Sequence, residues 1–238
     1  WVYQENSDPQ RVVLYLHGGG YVFGGYGSHG EIASKMASLI NGKTLLIEYR
    51  LAPENPFPAA IEDALTAYRW LLEGGTNASD IVLAGDSAGG GLSVALLLQL
   101  KHAGLGLPRA ACLFSPWVDL TCSSDSIKKN ESSDCMLSSR ALEKFKQYYL
   151  GETDSRDELV SPIFGDLSGL PPTYVAVGST EILLDDARTL VSEIKSSGGV
   201  ANLSIWPSMP HVFPIMSSII PEGRQVLKEF SGFLEQYT

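Results

Sequence analysis

The sequence contains a single G-x-S-x-G pattern, GDSAG at residues 85–89. An aliphatic run precedes it and a helical run opens at Ala88, so a strand, a sharp turn and a helix are expected here. A side chain at Gly85 or Gly89 would clash in such a turn, which explains the two glycines. The pattern predicts a nucleophilic Ser87 in a strained backbone conformation.

A serine hydroxyl is a poor nucleophile at neutral pH and needs a base within hydrogen-bond reach. The chain has four histidines. His102 lies near the far end of the helix that follows Ser87, roughly 22 Å away at about 1.5 Å per residue. His17 and His29 precede Ser87, whereas His211 follows the last predicted strand, on a loop that can reach Ser87. The chain order serine, acid, histidine therefore favours His211 as the base.

The acid that orients this histidine is expected on the loop after the next-to-last strand, in GSTEILLDDA. Glu181 is still on the loop, whereas Asp185 and Asp186 fall in the first turn of the next helix, where they would complement the helix dipole. We predict Glu181 as the acid, with Asp185 as the main alternative.

The HGGG motif at residues 17–20 directly follows the first predicted strand and matches a motif of lipases and esterases. Its backbone N–H groups face an oxyanion in such enzymes. We predict a three-donor oxyanion hole from Gly19, Gly20 and Ala88.

A second glycine pattern, Gly25, Gly27 and Gly30 with Glu48 at the next strand, superficially resembles a dinucleotide-binding fingerprint. The first glycine of that fingerprint makes the tight turn at the strand end. Gly25 lies well beyond that point, so we do not predict dinucleotide binding.

Short aliphatic runs alternate with longer helical patterns along the chain, which indicates a doubly wound, mostly parallel sheet with helices on both faces. Strands are predicted at 11–17, 44–50, 81–85, 111–115, 173–178 and 201–206, and helices near 30–40, 58–73, 88–102, 138–150, 183–197 and 221–236. Residues 1–238 form one predicted domain. The stretch 116–170 contains no convincing strand, and we predict that residues 120–165, called the lid segment below, cover the carboxyl edge of the sheet.

Composition excludes several classes of protein. The formal net charge of −10 argues against binding nucleic acid or anionic membrane surfaces, and no apolar run is long enough to span a bilayer. The three cysteines are an odd number without metal-site spacing, which favours a reducing, cytoplasmic location. No cofactor or metal is predicted. A homodimer is possible, but no contact for it can be predicted.

Three blocks together carry a family resemblance: HGGGYVFGG, YRLAPENPFPAAIEDA and GDSAGGGL. From about Val12 to Phe213 the chain resembles the hormone-sensitive lipase-like (family IV) carboxylesterases of the α/β-hydrolase superfamily. The resemblance implies an α/β-hydrolase fold with an inserted helical cap, and an esterase with Ser87 and His211 in its triad. It also implies Gly19, Gly20 and Ala88 in the oxyanion hole.

The chain departs from this family at two places. Members usually have Asp where this chain has Glu181, and they carry a helical cap before the first matched strand, of which almost nothing is present here. We therefore expect a more open site with an apolar rim, or further residues upstream. Arg50 is expected in a structural ion pair, with Asp63 or Asp86, rather than at the substrate.

The resulting prediction is a serine carboxylesterase for short- to medium-chain esters of small molecules. An apolar pocket is predicted from aromatic and aliphatic residues near the motifs: Tyr21, Phe23, Trp117, Val118, Leu183 and Phe213. Amidase or peptidase chemistry is the alternative, because the same triad would serve an amide. A non-catalytic ligand receptor of this fold is a further alternative, and His211 argues against it because such receptors lose this histidine.

Overall fold

The computed structural model describes residues 1–237, which form a seven-stranded sheet in the order β1-β3-β2-β4-β5-β6-β7. Its strands are β1 (Val2–Tyr3), β2 (Val12–Leu16), β3 (Lys43–Ile47), β4 (Ile81–Asp86), β5 (Ala110–Phe114), β6 (Thr173–Gly178) and β7 (Ala201–Trp206). β1 pairs antiparallel with β3, and all the other pairs are parallel. The predicted fold class is confirmed, while β1 was missed because two residues are too few for an alternation pattern.

Seven α-helices accompany the sheet in the described residues: α1 (Tyr26–Leu39), α2 (Ala59–Glu73), α3 (Ala88–His102), α4 (Asp125–Lys129), α5 (Ser139–Leu150), α6 (Leu184–Ser196) and α7 (Pro221–Glu235). Alternate residues of the central strands face two separate cores. One core packs against α2, α3 and α6, and the other against α1 and α7. Burial on both faces explains why these strands read as continuous apolar runs. None of the helices in residues 1–237 is long and apolar enough to cross a bilayer.

Helix α1 begins at Tyr26, four residues before its predicted start. Gly25 has a φ of 148°, a conformation that favours glycine, and the carboxylate of Glu48 accepts a hydrogen bond from the Tyr26 N–H at 3.0 Å. An acidic group at this position stabilises the first turn of a helix. Glu48 therefore caps α1, which accounts for the glycine and acid spacing that resembled a dinucleotide fingerprint.

Between β5 and β6 the chain forms α4, α5 and a 3-10 turn at Pro162–Phe164. Ser138 caps α5, because its hydroxyl accepts a hydrogen bond from the Ala141 N–H. The ring of Tyr149, near the end of α5, stacks on Tyr21 with centroids 3.7 Å apart. The structure thus places α5 of the lid segment against the loop that follows β2, at the carboxyl edge of the sheet.

Candidate active site

Ser87 occupies the turn between β4 and α3, with a φ of 52°. A Cβ on Gly85 would lie 2.4 Å from the carbonyl oxygen of Gly89, and one on Gly89 would lie 2.0 Å from that of Leu16. Such separations are far inside van der Waals contact, so both positions require glycine. The expected backbone strain at Ser87 and the two close approaches are confirmed.

His211 and Glu181 reach Ser87 from the loops after β7 and β6. The hydroxyl of Ser87 lies 2.9 Å from Nε2 of His211, and Nδ1 of His211 lies 2.8 Å from a carboxylate oxygen of Glu181. An ionised carboxylate only accepts, so Nδ1 donates to Glu181 and Nε2 is left to accept the proton of Ser87. Three residues that are far apart in sequence therefore form one chain of hydrogen bonds.

Glu181 is fully buried, and its second carboxylate oxygen accepts hydrogen bonds from the Ser115 hydroxyl, at 2.8 Å, and from the Gly178 N–H. Burial raises the pKa of Glu181, and the hydrogen bonds that it accepts from His211, Gly178 and Ser115 oppose this rise. Burial disfavours protonation of His211, but the hydrogen bond and charge of Glu181 outweigh it and raise the pKa of the imidazole. The site thus stabilises an imidazolium beside Ser87.

None of the other three histidines is hydrogen-bonded to Ser87 in the described residues, although His29 lines the same cavity. His102 is exposed, 3.7 Å from Glu158. His17 is buried, and its ring stacks on Tyr49 with centroids 4.2 Å apart. Burial lowers the pKa of His17, which keeps this ring neutral.

The backbone N–H groups of Gly19, Gly20 and Ala88 are the predicted oxyanion donors. Gly19 and Gly20 line the same cavity as Ser87, and Ala88 is the first residue of α3, where N–H groups have no partner within a helix. The positive end of the α3 dipole points to the same place. These features suit a site for a developing negative charge next to Ser87.

A family profile described as the alpha/beta hydrolase fold matches residues 13–215. An acetyl-hydrolase of Streptomyces hygroscopicus is 42% identical over 238 residues, which is 100% of this chain and 79% of that protein. An esterase of Acinetobacter venetianus is 35% identical over 228 residues, or 95% of this chain and 75% of that protein. The crystal structure of an esterase from the bacterial hormone-sensitive lipase family matches with a TM-score of 0.95 at 43% identity, over 99% of this chain and 79% of that one.

The chain belongs to the hormone-sensitive lipase-like, family IV carboxylesterases. The resemblance inferred from the three sequence blocks is confirmed, and so is the class of enzyme, a carboxylic ester hydrolase.

A cavity of about 270 Å³ opens beside Ser87 and His211 of this esterase. Of the six predicted pocket residues, Phe23 and Trp117 line it. The other four do not: Tyr21, Val118, Leu183 and Phe213 are buried in the core. Their positions next to the motifs gave no information on side-chain direction, and Tyr21, for example, turns away to stack on Tyr149.

Most residues of the apolar wall of this cavity were not predicted from the sequence. The lid segment supplies five of its residues, and the loop and turn after His211 supply two: Met136, Leu137, Ala141, Leu142, Phe145, Val212 and Ile215. A Cβ on Gly20 would lie 2.6 Å from the ring of Phe145, so α5 packs directly on the loop that follows β2. Phe23 and Met136 are exposed at the rim of the cavity. The spacing of apolar residues in α5 indicates which face of the helix is buried, but it does not indicate which part of the molecule that face contacts.

The role of Asp86, the second residue of the GDSAG motif, was not predicted from the sequence. Its buried carboxylate accepts hydrogen bonds from the Gly18 N–H and the Tyr15 hydroxyl and contacts Nε2 of His29 at 3.3 Å. Burial lowers the pKa of His29, but the hydrogen bond and charge of Asp86 outweigh this and raise it. Asp86 thus binds the start of the loop that follows β2, through the Gly18 N–H.

Arg50 forms the expected structural ion pair with Asp63, not with Asp86. Its guanidinium donates to both carboxylate oxygens of Asp63 and to Glu62. Asp86 instead accepts from the Gly18 N–H, so the alternative partner named for Arg50 is wrong.

The two other candidate acids contact the chain that follows β5. Asp185 accepts from the Ser126 N–H and pairs with Arg188, and no contact joins it to His211 in the described residues. Asp186 is buried and accepts from the N–H groups of Val118 and Asp119 and from the Ser124 hydroxyl. Burial raises the pKa of Asp186 to about 7. Asp185 and Asp186 both lie in the first turn of α6, as expected, and Asp186 in addition binds the chain that follows β5.

Proposed function

We propose that Ser87 is the nucleophile of this carboxylesterase, that His211 is its general base and acid, and that Glu181 orients His211. The observation that carries the proposal is the hydrogen-bonded chain from the Ser87 hydroxyl through His211 to buried Glu181. Gly19, Gly20 and Ala88 would supply the oxyanion hole.

The geometry supports a two-step reaction. The Ser87 oxygen attacks the ester carbonyl carbon while Nε2 of His211 takes the hydroxyl proton, and the backbone N–H groups stabilise the oxyanion. The carbon–oxygen bond to the alcohol breaks, His211 returns the proton to the leaving oxygen, and an acyl-serine remains. Water then attacks this acyl group with His211 again as base, which releases the carboxylic acid and restores Ser87.

We propose short- to medium-chain acyl esters as substrates, with the lid segment, residues 120–165, covering the acyl group within one domain. A cavity of about 270 Å³ with a largely apolar wall suits a small uncharged acyl chain. The Streptomyces relative is named an acetyl-hydrolase, which supports the short end of this range.

An active-site-directed phosphonate tests the nucleophile. We expect one covalent adduct per chain in the wild type and in the Ser38→Ala control, whose serine is exposed on α1, and none in Ser87→Ala. Equal labelling of Ser87→Ala and wild type would overturn the assignment. Intact-protein mass spectrometry gives the readout.

A matched series of p-nitrophenyl esters and anilides tests the substrate class. We expect turnover of acetyl and butyryl esters, a decline toward long acyl chains, and much slower turnover of the anilides. Faster anilide turnover would favour the amidase alternative, and binding without turnover would favour a receptor.

We also propose a cytoplasmic location. The supporting observation is that Cys112, Cys122 and Cys135 are all free thiols, as a reducing compartment favours. Fractionation of the native source with an antibody to this chain would test it.

A further inference from the structure

Two side chains of the lid segment reach back to the loop that carries Glu181, residues 179–183, called the acid loop below. The side-chain amide of Asn130 donates to the carbonyl oxygen of Glu181 at 2.7 Å and to that of Ser179 at 3.2 Å. A carboxylate oxygen of Asp134 accepts from the Ile182 N–H at 2.9 Å. Both residues follow α4 within the segment between β5 and β6.

These contacts converge on a single peptide group. The carbonyl of Glu181 and the N–H of Ile182 are the two polar ends of one planar peptide unit. Asn130 holds one end and Asp134 holds the other, so the orientation of that plane is fixed from outside the acid loop. The direction in which Glu181 leaves the backbone toward His211 is fixed with it.

Asp134 also joins the acid loop to the cavity wall. Its second carboxylate oxygen accepts from the N–H groups of Met136 and Leu137, each at 3.0 Å, and both of these residues line the cavity. A single carboxylate therefore links the peptide beside Glu181 to the chain that borders the substrate.

We infer that Asn130 and Asp134 are positioning residues for the triad acid, through which the lid segment holds Glu181 in line with His211. The inference rests on the proposed function, in which Glu181 is that acid. Neither residue contacts Ser87 or the reacting atoms. Loss of either set of hydrogen bonds lets the peptide after Glu181 rotate and loosens the hydrogen bond to His211.

The charge of Asp134 supports the same role. Three acidic groups act on His211: Glu181 by direct contact, and Asp134 and Asp86 through their charge, and all three raise the pKa of the imidazole. Asp134 therefore favours the imidazolium both through Glu181 and directly.

The test compares Asn130→Asp and Asp134→Ala with wild type on p-nitrophenyl acetate across pH. The aspartate has the size of asparagine but cannot donate to the two carbonyl oxygens. We expect kcat to fall about 10- to 100-fold, as for a small misplacement of a catalytic group, with KM little changed. In Asp134→Ala the acidic limb of the kcat profile should move to lower pH, because this variant loses a negative charge that raises the pKa of His211 and also loosens Glu181.

A matched control lies on the same lid segment. Asp125→Asn removes a carboxylate whose partner is Lys129 on α4, without a contact to the acid loop, and should leave kcat and the pH profile unchanged. The far-downfield proton resonance of His211 Nδ1–H gives a second readout, since it reports the bond to Glu181. We expect it to shift or broaden in the two test variants and to persist in the control.

The inference is overturned if both test variants retain kcat within about 3-fold of wild type, a range that a displaced catalytic group would exceed. Asn130→Ala, which removes both donated bonds without adding a charge, replaces Asn130→Asp under the same criterion if the latter does not fold. Glu181→Gln distinguishes failure of this inference from failure of the assignment of Glu181 as the acid. If it lowers kcat while the lid variants do not, the inference alone fails; if it leaves kcat unchanged, the assignment of the acid and the inference both fail.

Discussion

The turn that carries Ser87 and the loop that carries Glu181 are built in opposite ways. At the turn, the contacts join backbone groups. The Ser87 N–H donates to the Phe114 carbonyl, the Ser87 carbonyl accepts from the Trp117 N–H, and glycines allow the close approaches around them. At the acid loop, side chains from distant parts of the chain make the contacts: Asn130 and Asp134 bind the backbone, and the Ser115 hydroxyl donates to the Glu181 carboxylate.

This difference predicts different kinds of sensitivity. A backbone-held turn tolerates few added atoms, so its substitutions should affect folding. A loop held by side chains can lose a partner and keep its fold, so its substitutions should affect the geometry of catalysis first. Four substitutions, in decreasing order of expected effect, test this contrast between the turn and the acid loop.

Glu181→Gln should lower kcat about 10³- to 10⁴-fold, by analogy with replacement of a triad acid by its amide. Its acidic limb should move to lower pH, because loss of the negative charge removes the main cause of the raised pKa of His211. A kcat profile across pH measures both effects. Asp185→Asn, at the alternative acid, should change kcat far less, and the reverse order would identify Asp185 as the acid.

Gly89→Ala should destabilise the fold by about 3 kcal/mol or more, because its Cβ would lie 2.0 Å from the carbonyl oxygen of Leu16 and 2.4 Å from that of His17. Gly27→Ala is the matched control on α1, where a Cβ meets nothing within 4 Å. That change should stabilise by about 0.5 to 1 kcal/mol. Urea unfolding measures both, and equal stability of the two variants would contradict the backbone-held turn.

Ser115→Ala should lower kcat about 10-fold and the free energy of unfolding by about 1 to 3 kcal/mol, because Glu181 loses a donor and the buried Val212 N–H loses its acceptor. Ser161→Ala removes an equally buried serine that bonds Leu120 and Ser155. It should lose similar stability but keep kcat. If both variants lose kcat equally, Ser115 has no special role at Glu181.

Ser133→Ala should have the smallest effect, about 2-fold or less in kcat. Its hydroxyl donates to the Thr180 carbonyl at 3.1 Å, but the bond is exposed, and water replaces it at little cost. Steady-state kinetics beside Asn130→Asp would show whether burial of the bond decides its importance. A loss as large as that of Asn130→Asp would mean that every contact between the lid segment and the acid loop matters alike.

The same contrast explains how far the sequence could be interpreted. The turn at Ser87 is a local pattern of glycines between a strand and a helix, so its position, its strain and its close contacts could all be predicted. The acid loop could be located from chain order, but Asn130 and Asp134 lie about 50 residues upstream of their partners, separated by a helix and a strand. No pattern along the chain relates such residues, since their proximity depends on how the lid segment folds back.

The pocket shows the same limit. The sequence placed Phe23 and Trp117 beside the motifs correctly, but it also placed Tyr21 and Phe213 there, and both are core residues. Direction of a side chain in a loop depends on local φ and ψ, and Tyr21 has a φ of 63° that no pattern indicated.

The sequence by itself determined the order of the six longer strands, of all described α-helices except α4, and the glycine turn at Ser87, because periodicity and close backbone approach leave a local record in residue types. The tertiary structure decided which acid meets His211, which side chains hold that acid, and which residues line the cavity. Those are distances between segments remote along the chain, and they exist only once the lid segment has packed against the carboxyl edge of the sheet.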